Sequence, residues 1–343
     1  MTEYDVVIVG ASFAGLSVAS QVEGKVLLID PYDIASLQIS ACGAPFDVIK
    51  MVGCEDSVLQ ISNKFALHVN HKRVDFDLKQ PYCTFDFKKF CHSLNLQNNG
   101  DFLRAKAKKA KRSQDGLFVI DTSKGTVSSG ILVDATGWRA SIAESLKPGY
   151  VNMDMLSFGI ETEVPYRCES FHFFYDPDFL KDGICWIFPA GEFSRVGIAS
   201  YAGTRRLVGK LNSFLDRFHL TRRKVHGGMF CYCLKEPVVD GVFVVGCAQG
   251  QTLPLTGEGI RRCITTGIEC GRIIRKILDG AISMEQGLSE YSRVALKSRR
   301  GFDLLLKAQE KFLTMSEKNI EMLAKFLSNR LVFRVAEKYY RGI

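Results

Sequence analysis

Apolar and polar positions divide this chain into segments with different periods. Asp5-Val6-Val7-Ile8-Val9 is a short apolar run closed by Gly10. A helical pattern follows over about Phe13 to Gln21, and a second run covers Lys25 to Ile29, giving strand, helix and strand. A loop and mixed region extends to about Leu78. Asp86 to Leu94 predicts a helix with Phe87, Phe90, Cys91 and Leu94 on one face. Residues 102–134 read as strands, and 151–200 are rich in β-branched and aromatic residues, as a sheet is. A strand over Val242 to Val245 leads into a glycine turn and a helix from about Glu258 to Leu278. From about Arg299 a helical tail follows, with Phe302, Phe312, Phe326 and Leu331 among its apolar positions.

Composition narrows the class. The chain has 343 residues, 46% of them hydrophobic and 11% aromatic, which suits a globular protein large enough for two cores. No run approaches the roughly 20 apolar residues of a spanning helix, and no export signal precedes the first strand. The expectation is a cytoplasmic protein starting at Met1. Eleven scattered cysteines without an export signal argue against a disulfide framework. Cys231 and Cys233 would share a strand face, but no neighbouring ligands complete a metal set. The six histidines show neither zinc nor triad spacing, and none is assigned a role.

The net charge of +8 is concentrated at the end of the chain, where Arg293 to Ile343 holds twelve Lys/Arg against five Asp/Glu. These helices read either as packing on the body of the protein or as a surface for an anionic membrane. The basic stretch from Arg104 to Arg112 largely alternates with alanines, so it reads as a solvated strand face and not as a nucleic-acid patch.

The chemistry begins at Gly10-Ala11-Ser12-Phe13-Ala14-Gly15. Gly10 permits the tight strand-to-helix turn, Gly15 lets the helix pack closely, and the helix N-terminus offers free N–H groups to a pyrophosphate. Asp30, twenty residues after Gly10, is placed for an adenosine ribose hydroxyl, while Ser12 replaces the middle glycine. An NAD domain completes its fingerprint within one βαβ unit. Here a second glycine-rich segment returns more than two hundred residues later, which favours FAD.

Asp134-Ala135-Thr136-Gly137 ends an apolar strand and resembles the Ala-Thr-Gly motif of FAD-dependent oxidoreductases. Gly246-Cys247-Ala248, then Pro254-Leu255-Thr256-Gly257-Glu258-Gly259-Ile260, resembles the late flavin motif of the geranylgeranyl reductase family, within the p-hydroxybenzoate hydroxylase-like flavoproteins. Gly257 and Gly259 open a helix whose N-terminal dipole can stabilise negative charge on a reduced flavin. Cys185-Trp186-Ile187-Phe188-Pro189 looks like the family motif that lines the substrate cavity; alone, such an aromatic pair reads more readily as core. Ala41-Cys42-Gly43 matches the Cys-Gly pair of the reductases, which the resemblance places beside the isoalloxazine. Ile184 stands in place of the motif's tyrosine. Cys247 stands where the family has an aspartate, a loss on the order of 1–3 kcal/mol of cofactor affinity.

The resemblance spans residues 1 to about 300 and implies an α/β fold. A Rossmann-like FAD-binding domain would comprise 1–55, 80–150 and 236–285, a mixed-sheet α+β substrate domain 56–79 and 151–235, and a C-terminal helical segment 286–343. It implies reduction of carbon–carbon double bonds in an isoprenoid or other apolar substrate, with Cys42 and Gly43 at the reacting centre and Trp186, Phe188 and Pro189 around the substrate. The electron donor, ferredoxin or NAD(P)H, stays open, and a membrane surface is a further expected partner. A flavin-dependent monooxygenase and a degenerate FAD- or lipid-binding protein are the alternatives.

Overall fold

The computed structural model describes residues 2–69, 72–177 and 179–343. Two sheets of eight strands form its centre. In the first, Val242–Val244, Gly125–Asp134, Thr2–Val9, Val26–Asp30 and Asp101–Arg104 lie side by side and parallel. Successive side chains of a strand point to opposite faces, so a sheet covered on both sides needs an unbroken apolar run. Val6 and Ile8 pack with Leu16, Val18, Ile264 and Ile268 from the helices Phe13–Ala19 and Ile260–Leu278. Val7, Val9, Leu27 and Ile29 pack on the other side with Phe118, Ile120 and Ile142.

The second sheet runs Val225–Cys231, Leu156–Val164, Phe193–Ser200, Gly183–Ala190, Phe171–Tyr175, Val58–Val69, Lys72–Phe85, Gly43–Pro45. One face is closed by the helix Val208–Asp216, whose Leu211, Phe214 and Leu215 meet Ile160, Ile187, Val196 and Ile198. Alternation leaves Trp186, Phe188, Glu161, Arg195 and His226 on the opposite face.

The segment read as mixed to Leu78 contains two long strands, Val58–Val69 and most of Lys72–Phe85. Much of both strands is solvated, so neither presents the apolar run or clean alternation that marks a strand. Gly43–Pro45 and residues 80–85 also pair within the second sheet, which therefore extends beyond the boundaries drawn at 55 and 80. The early helix occupies Phe87–Asn95, buries Phe87, Phe90, Cys91 and Leu94, and starts at Asp86, whose carboxylate accepts the Lys89 N–H at 2.8 Å. In the basic stretch Ala105, Ala107 and Ala110 are buried while the lysines face water.

Four helices end the chain: Met284–Ala295, Arg299–Thr314, Glu317–Leu327 and Arg330–Gly342. They touch both halves of the molecule. Ile320 packs with Val69 and Tyr175, and Phe302 and Ile343 pack with Leu253 at the late glycine turn.

Candidate active site between the two sheets

Gly10, Asp30, Asp134 and Gly246 all lie at or just beyond the carboxyl ends of parallel strands, the edge at which such sheets bind ligands. The approach there is too close for side chains. A Cβ on Gly15 would stand 1.8 Å from the Gly10 carbonyl oxygen, one on Gly10 2.2 Å from that of Ala135, and one on Gly246 2.6 Å from the Ala14 methyl. Three segments separated by more than a hundred residues are thus fixed in contact. Among the described residues the N–H groups of Ser12, Phe13 and Ala14 have no protein acceptor. The Ser12 hydroxyl makes no cap, and Phe13 turns inward against Phe85, Phe87 and Phe90.

Asp30 is already engaged, accepting the N–H groups of Ala11 and Tyr32 at 2.9 Å each. Burial raises its pKa and these two donors oppose the rise. Asp134 is fully buried and accepts from Thr136 N–H, Thr136 Oγ1, Ile142 N–H and Ala143 N–H at 2.7–3.0 Å. It holds the Ala135-Thr136-Gly137 turn in shape. Gly137, at φ 70°, faces open space.

The late turn is strapped from several sides. Pro254 is buried, Leu255 sits at φ 66° with its N–H on Gln309, and its carbonyl accepts the Tyr201 hydroxyl at 2.6 Å. Gly257, at φ 67°, lies 3.8 Å from Phe230 when a Cβ is placed on it, so this turn faces the second sheet. Gly259 caps the 19-residue helix that begins at Ile260, whose side chain is buried in the core. Glu258 is not open to a ligand: its carboxylate binds Arg261 Nε at 2.7 Å and accepts from Tyr82 and Tyr340 hydroxyls. The Cys247 thiol accepts the Cys231 N–H at 3.5 Å and is pushed up to about 11 by burial. It provides no carboxylate in place of the one the family carries.

Cys42 is completely buried in the apolar cluster that includes Phe85 and Cys91, and sits at φ 51°. Burial pushes its thiol up to about 12, against the pull of the neighbouring Arg195 guanidinium. Arg195 ties the Cys42 loop to the second sheet, donating to the carbonyls of Ala41 at 2.9 Å and Phe85 at 3.0 Å and pairing with Glu163 at 3.3 Å. A Cβ on Gly43 would lie 3.5 Å from the Phe188 ring, which places Phe188 against the same loop.

Trp186 and Phe188 are therefore on the open face and outside the core. Pro189 lies on the other side of the strand, buried, with its carbonyl accepting from Thr84 Oγ1 at 2.5 Å. Trp186 crosses the sheet. A Cβ on Gly197 would meet its indole at 2.1 Å, and past that glycine its Nε1 donates to Glu161 Oε2 at 3.1 Å. His226 approaches from the opposite strand, with Nε2 2.9 Å from Glu161 Oε1. Sequence reading missed Glu161, Arg195 and His226. The available signal was charge at alternate positions, Glu161 and Glu163, in an otherwise apolar strand.

No family model matches the chain. In sequence it is similar to the digeranylgeranylglycerophospholipid reductase of Methanococcus aeolicus, 27% identical over 60% of this chain and 56% of the relative. It is also similar to digeranylgeranylglycerophospholipid reductase 2 of Methanopyrus kandleri, 28% identical over 65% and 60%. The match thus spans less than two thirds of these relatives' length. A geranylgeranyl bacteriochlorophyll reductase-like protein from Thermoplasma acidophilum superposes with a TM-score of 0.85 over 96% of this chain and 92% of that one, at 17% identity. The chain has the geranylgeranyl reductase-like fold. That fold is shared with a myxobacterial FAD-dependent chondrochloren halogenase, at a TM-score of 0.74, 14% identity, and 96% and 91% coverage. The α/β architecture read from the motifs holds, and the sequence relatives are named as reductases of the kind that the motifs resemble.

Proposed function

We propose that the protein is an FAD-dependent oxidoreductase that saturates carbon–carbon double bonds of an isoprenoid chain. The observation that carries this is that Gly43 and the Gly257 turn approach the same face of the second sheet, at Phe188 and Phe230, the face that also bears Trp186. The names of the sequence relatives point the same way.

The residues fit FAD. The unpaired N–H groups of Ser12, Phe13 and Ala14 suit a pyrophosphate, although Ser12 crowds the approach relative to glycine. Asp30 has lone pairs left for a ribose hydroxyl, Ala135, Thr136 and Gly137 offer backbone beside an open space, and Gly257 to Ile260 bring a helix N-terminus toward the flavin ring. Glu258 contributes by fixing this turn. When bound and reduced, the flavin supplies a hydride equivalent.

The chain's own task is to hold an apolar alkene still and keep water away from it. Phe188 and Trp186 provide apolar walls. Cys42, fully buried with its thiol held protonated, would back the Gly43 loop without introducing charge. An isolated alkene resists hydride transfer, so positioning carries much of the burden.

Access to a lipid is consistent with the C-terminal helices. Phe326, Leu331 and Val335 are 61%, 78% and 72% exposed, near the exposed cations Lys325, Arg330 and Lys338. Each cation close to an anionic bilayer adds about 1 kcal/mol. No helix among the described residues is long and apolar enough to cross a membrane.

The test is anaerobic. FAD-loaded protein reduced with dithionite is mixed with a geranylgeranyl glycerol ether lipid, and flavin reoxidation and lipid mass are followed together. Gain of two hydrogens per flavin oxidised supports the reading. A competent reduced flavin that leaves the lipid unchanged, or that hydroxylates it only when oxygen is admitted, overturns it.

A further inference from the structure

His226, Glu161, Gly197 and Trp186 stand opposite one another across four adjacent strands, on the face that also carries Arg195 and Phe188. The carboxylate in this row is 3% exposed, and among the described residues its hydrogen-bond donors come from two side chains, with the Arg195 charge nearby. Such an arrangement would be costly if it served packing alone, since a buried charge needs a full set of partners. We propose that His226 delivers the proton that completes alkene saturation and that Glu161 positions it. This rests on the reductase reading above.

The geometry determines which nitrogen acts. Indole Nε1 can only donate, so Trp186 orients Glu161 as an acceptor, and an ionised carboxylate accepts at both oxygens. Nε2 of His226 therefore keeps its proton in the bond to Oε1. Exchange falls to Nδ1, which has no hydrogen-bond partner among the described residues. The His226 side chain is 21% exposed, so it reaches both water and the open face.

Competing donors on this face are poorly suited. Arg195 does not release a proton, and its guanidinium is committed to Ala41, Phe85 and Glu163. Cys42 is held protonated up to about 12 and has no exposed surface through which to recover a proton. Imidazole is the side-chain type that ordinarily exchanges protons near neutrality.

The step balances. As the π bond opens, a hydride bringing two electrons from two-electron-reduced flavin forms one C–H bond, and the Nδ1 proton of an imidazolium forms the other. His226 is left as neutral imidazole with its proton on Nε2, and it takes a new proton from water.

Two measurements test this. In the anaerobic assay with the same ether lipid, His226→Gln is expected to keep its flavin and slow saturation by about 100-fold or more, and imidazole added to His226→Ala to restore at least about tenfold. Independently of turnover, 15N spectra of histidine-labelled oxidised protein should show His226 as the Nε2–H tautomer, and Glu161→Gln should release it to a mixture. A parental rate in flavin-loaded His226→Gln, lack of imidazole rescue, or an Nδ1–H tautomer overturns the proposal and leaves the reductase reading standing. A parent protein that does not saturate the lipid overturns that reading, and this role with it.

Discussion

The two faces of the site are built on different principles. On the edge of the first sheet, backbone comes too close for side chains: a Cβ on Gly10 or Gly15 would stand 2.2 or 1.8 Å from a carbonyl oxygen, and one on Gly246 2.6 Å from the Ala14 methyl. On the second sheet, side chain meets side chain: Trp186 and His226 hold Glu161 across strands, and Arg195 pairs with Glu163 beside them. The first construction tolerates almost no substitution but makes no chemical choice beyond an anionic, dinucleotide-shaped ligand. The second tolerates change in shape more readily and, in the function proposed above, would decide what happens to the substrate.

The largest effect expected from this contrast is at Gly15. Gly15→Ala places a methyl against the Gly10 carbonyl, with no flexible neighbour to give way, and should cost at least about 4 kcal/mol of stability together with FAD loading. A soluble, yellow Gly15→Ala protein would show that the edge is far more pliable than its geometry states.

Gly197→Ala makes the corresponding change on the other face. Its methyl would meet the Trp186 indole, a side chain that can swing away, and would stand 2.8 Å from the Ile160 carbonyl oxygen, a milder backbone clash than the 1.8 Å at Gly15, so folding and flavin should survive with some loss of stability. The carboxylate of Glu161 then loses a donor, at about 1–3 kcal/mol. Thermal melting and Trp fluorescence measure this, and a loss as large as that of Gly15→Ala would erase the distinction.

Alkaline titration compares the two regions from inside. Burial pushes Cys42 and Cys83 beside the second sheet, and Cys263 beneath Gly246, up to about 12 from an ordinary 9.0. The folded state binds more protons than the unfolded one in that window. The stabilisation these thiols give is therefore fully present below pH 9 and declines as pH rises toward 12. Urea midpoints measured at about pH 8 and about pH 10.5 should fall, and Cys42→Ala and Cys263→Ala should each reduce the fall. An unchanged midpoint would mean that the thiols meet solvent.

The smallest change concerns Asp30. Removing its carboxylate in Asp30→Ala should lower FAD affinity by about tenfold, near 1.4 kcal/mol, and leave the polar row intact. Flavin fluorescence titration reports it, and unaltered affinity would remove Asp30 from the ribose site.

This contrast also explains what could be read in advance. Turn glycines, the Asp30 position and the helix from Phe87 leave local marks, because the constraint acts within a few residues of the chain. Cys42, Trp186 and Phe188 came from a family motif, and the face that Trp186 and Phe188 share only from strand register. Nothing local relates Glu161 to His226, 65 residues away, or Glu258 to Tyr340, 82 away. The long strands Val58–Val69 and Lys72–Phe85 lacked an apolar rhythm because much of their surface is wet. Pro189 was assigned to the substrate as part of a contiguous motif, whereas strand alternation turns it away from its neighbour Phe188.

The order of strands within each sheet has a consequence for how the chain acquires this structure. Thr2–Val9 pairs with Gly125–Asp134, which in turn pairs with Val242–Val244, and Val58–Val69 waits for Phe171–Tyr175 to lie parallel beside it. A chain emerging from its N-terminus thus carries unpaired strand edges through most of its synthesis. Contacts of such long sequence separation form slowly, and exposed edges invite pairing with other chains in the meantime. Yield in a cell is accordingly set by how well those early strands are shielded until residue 244 has appeared, a requirement of assembly that is separate from the stability of the finished protein.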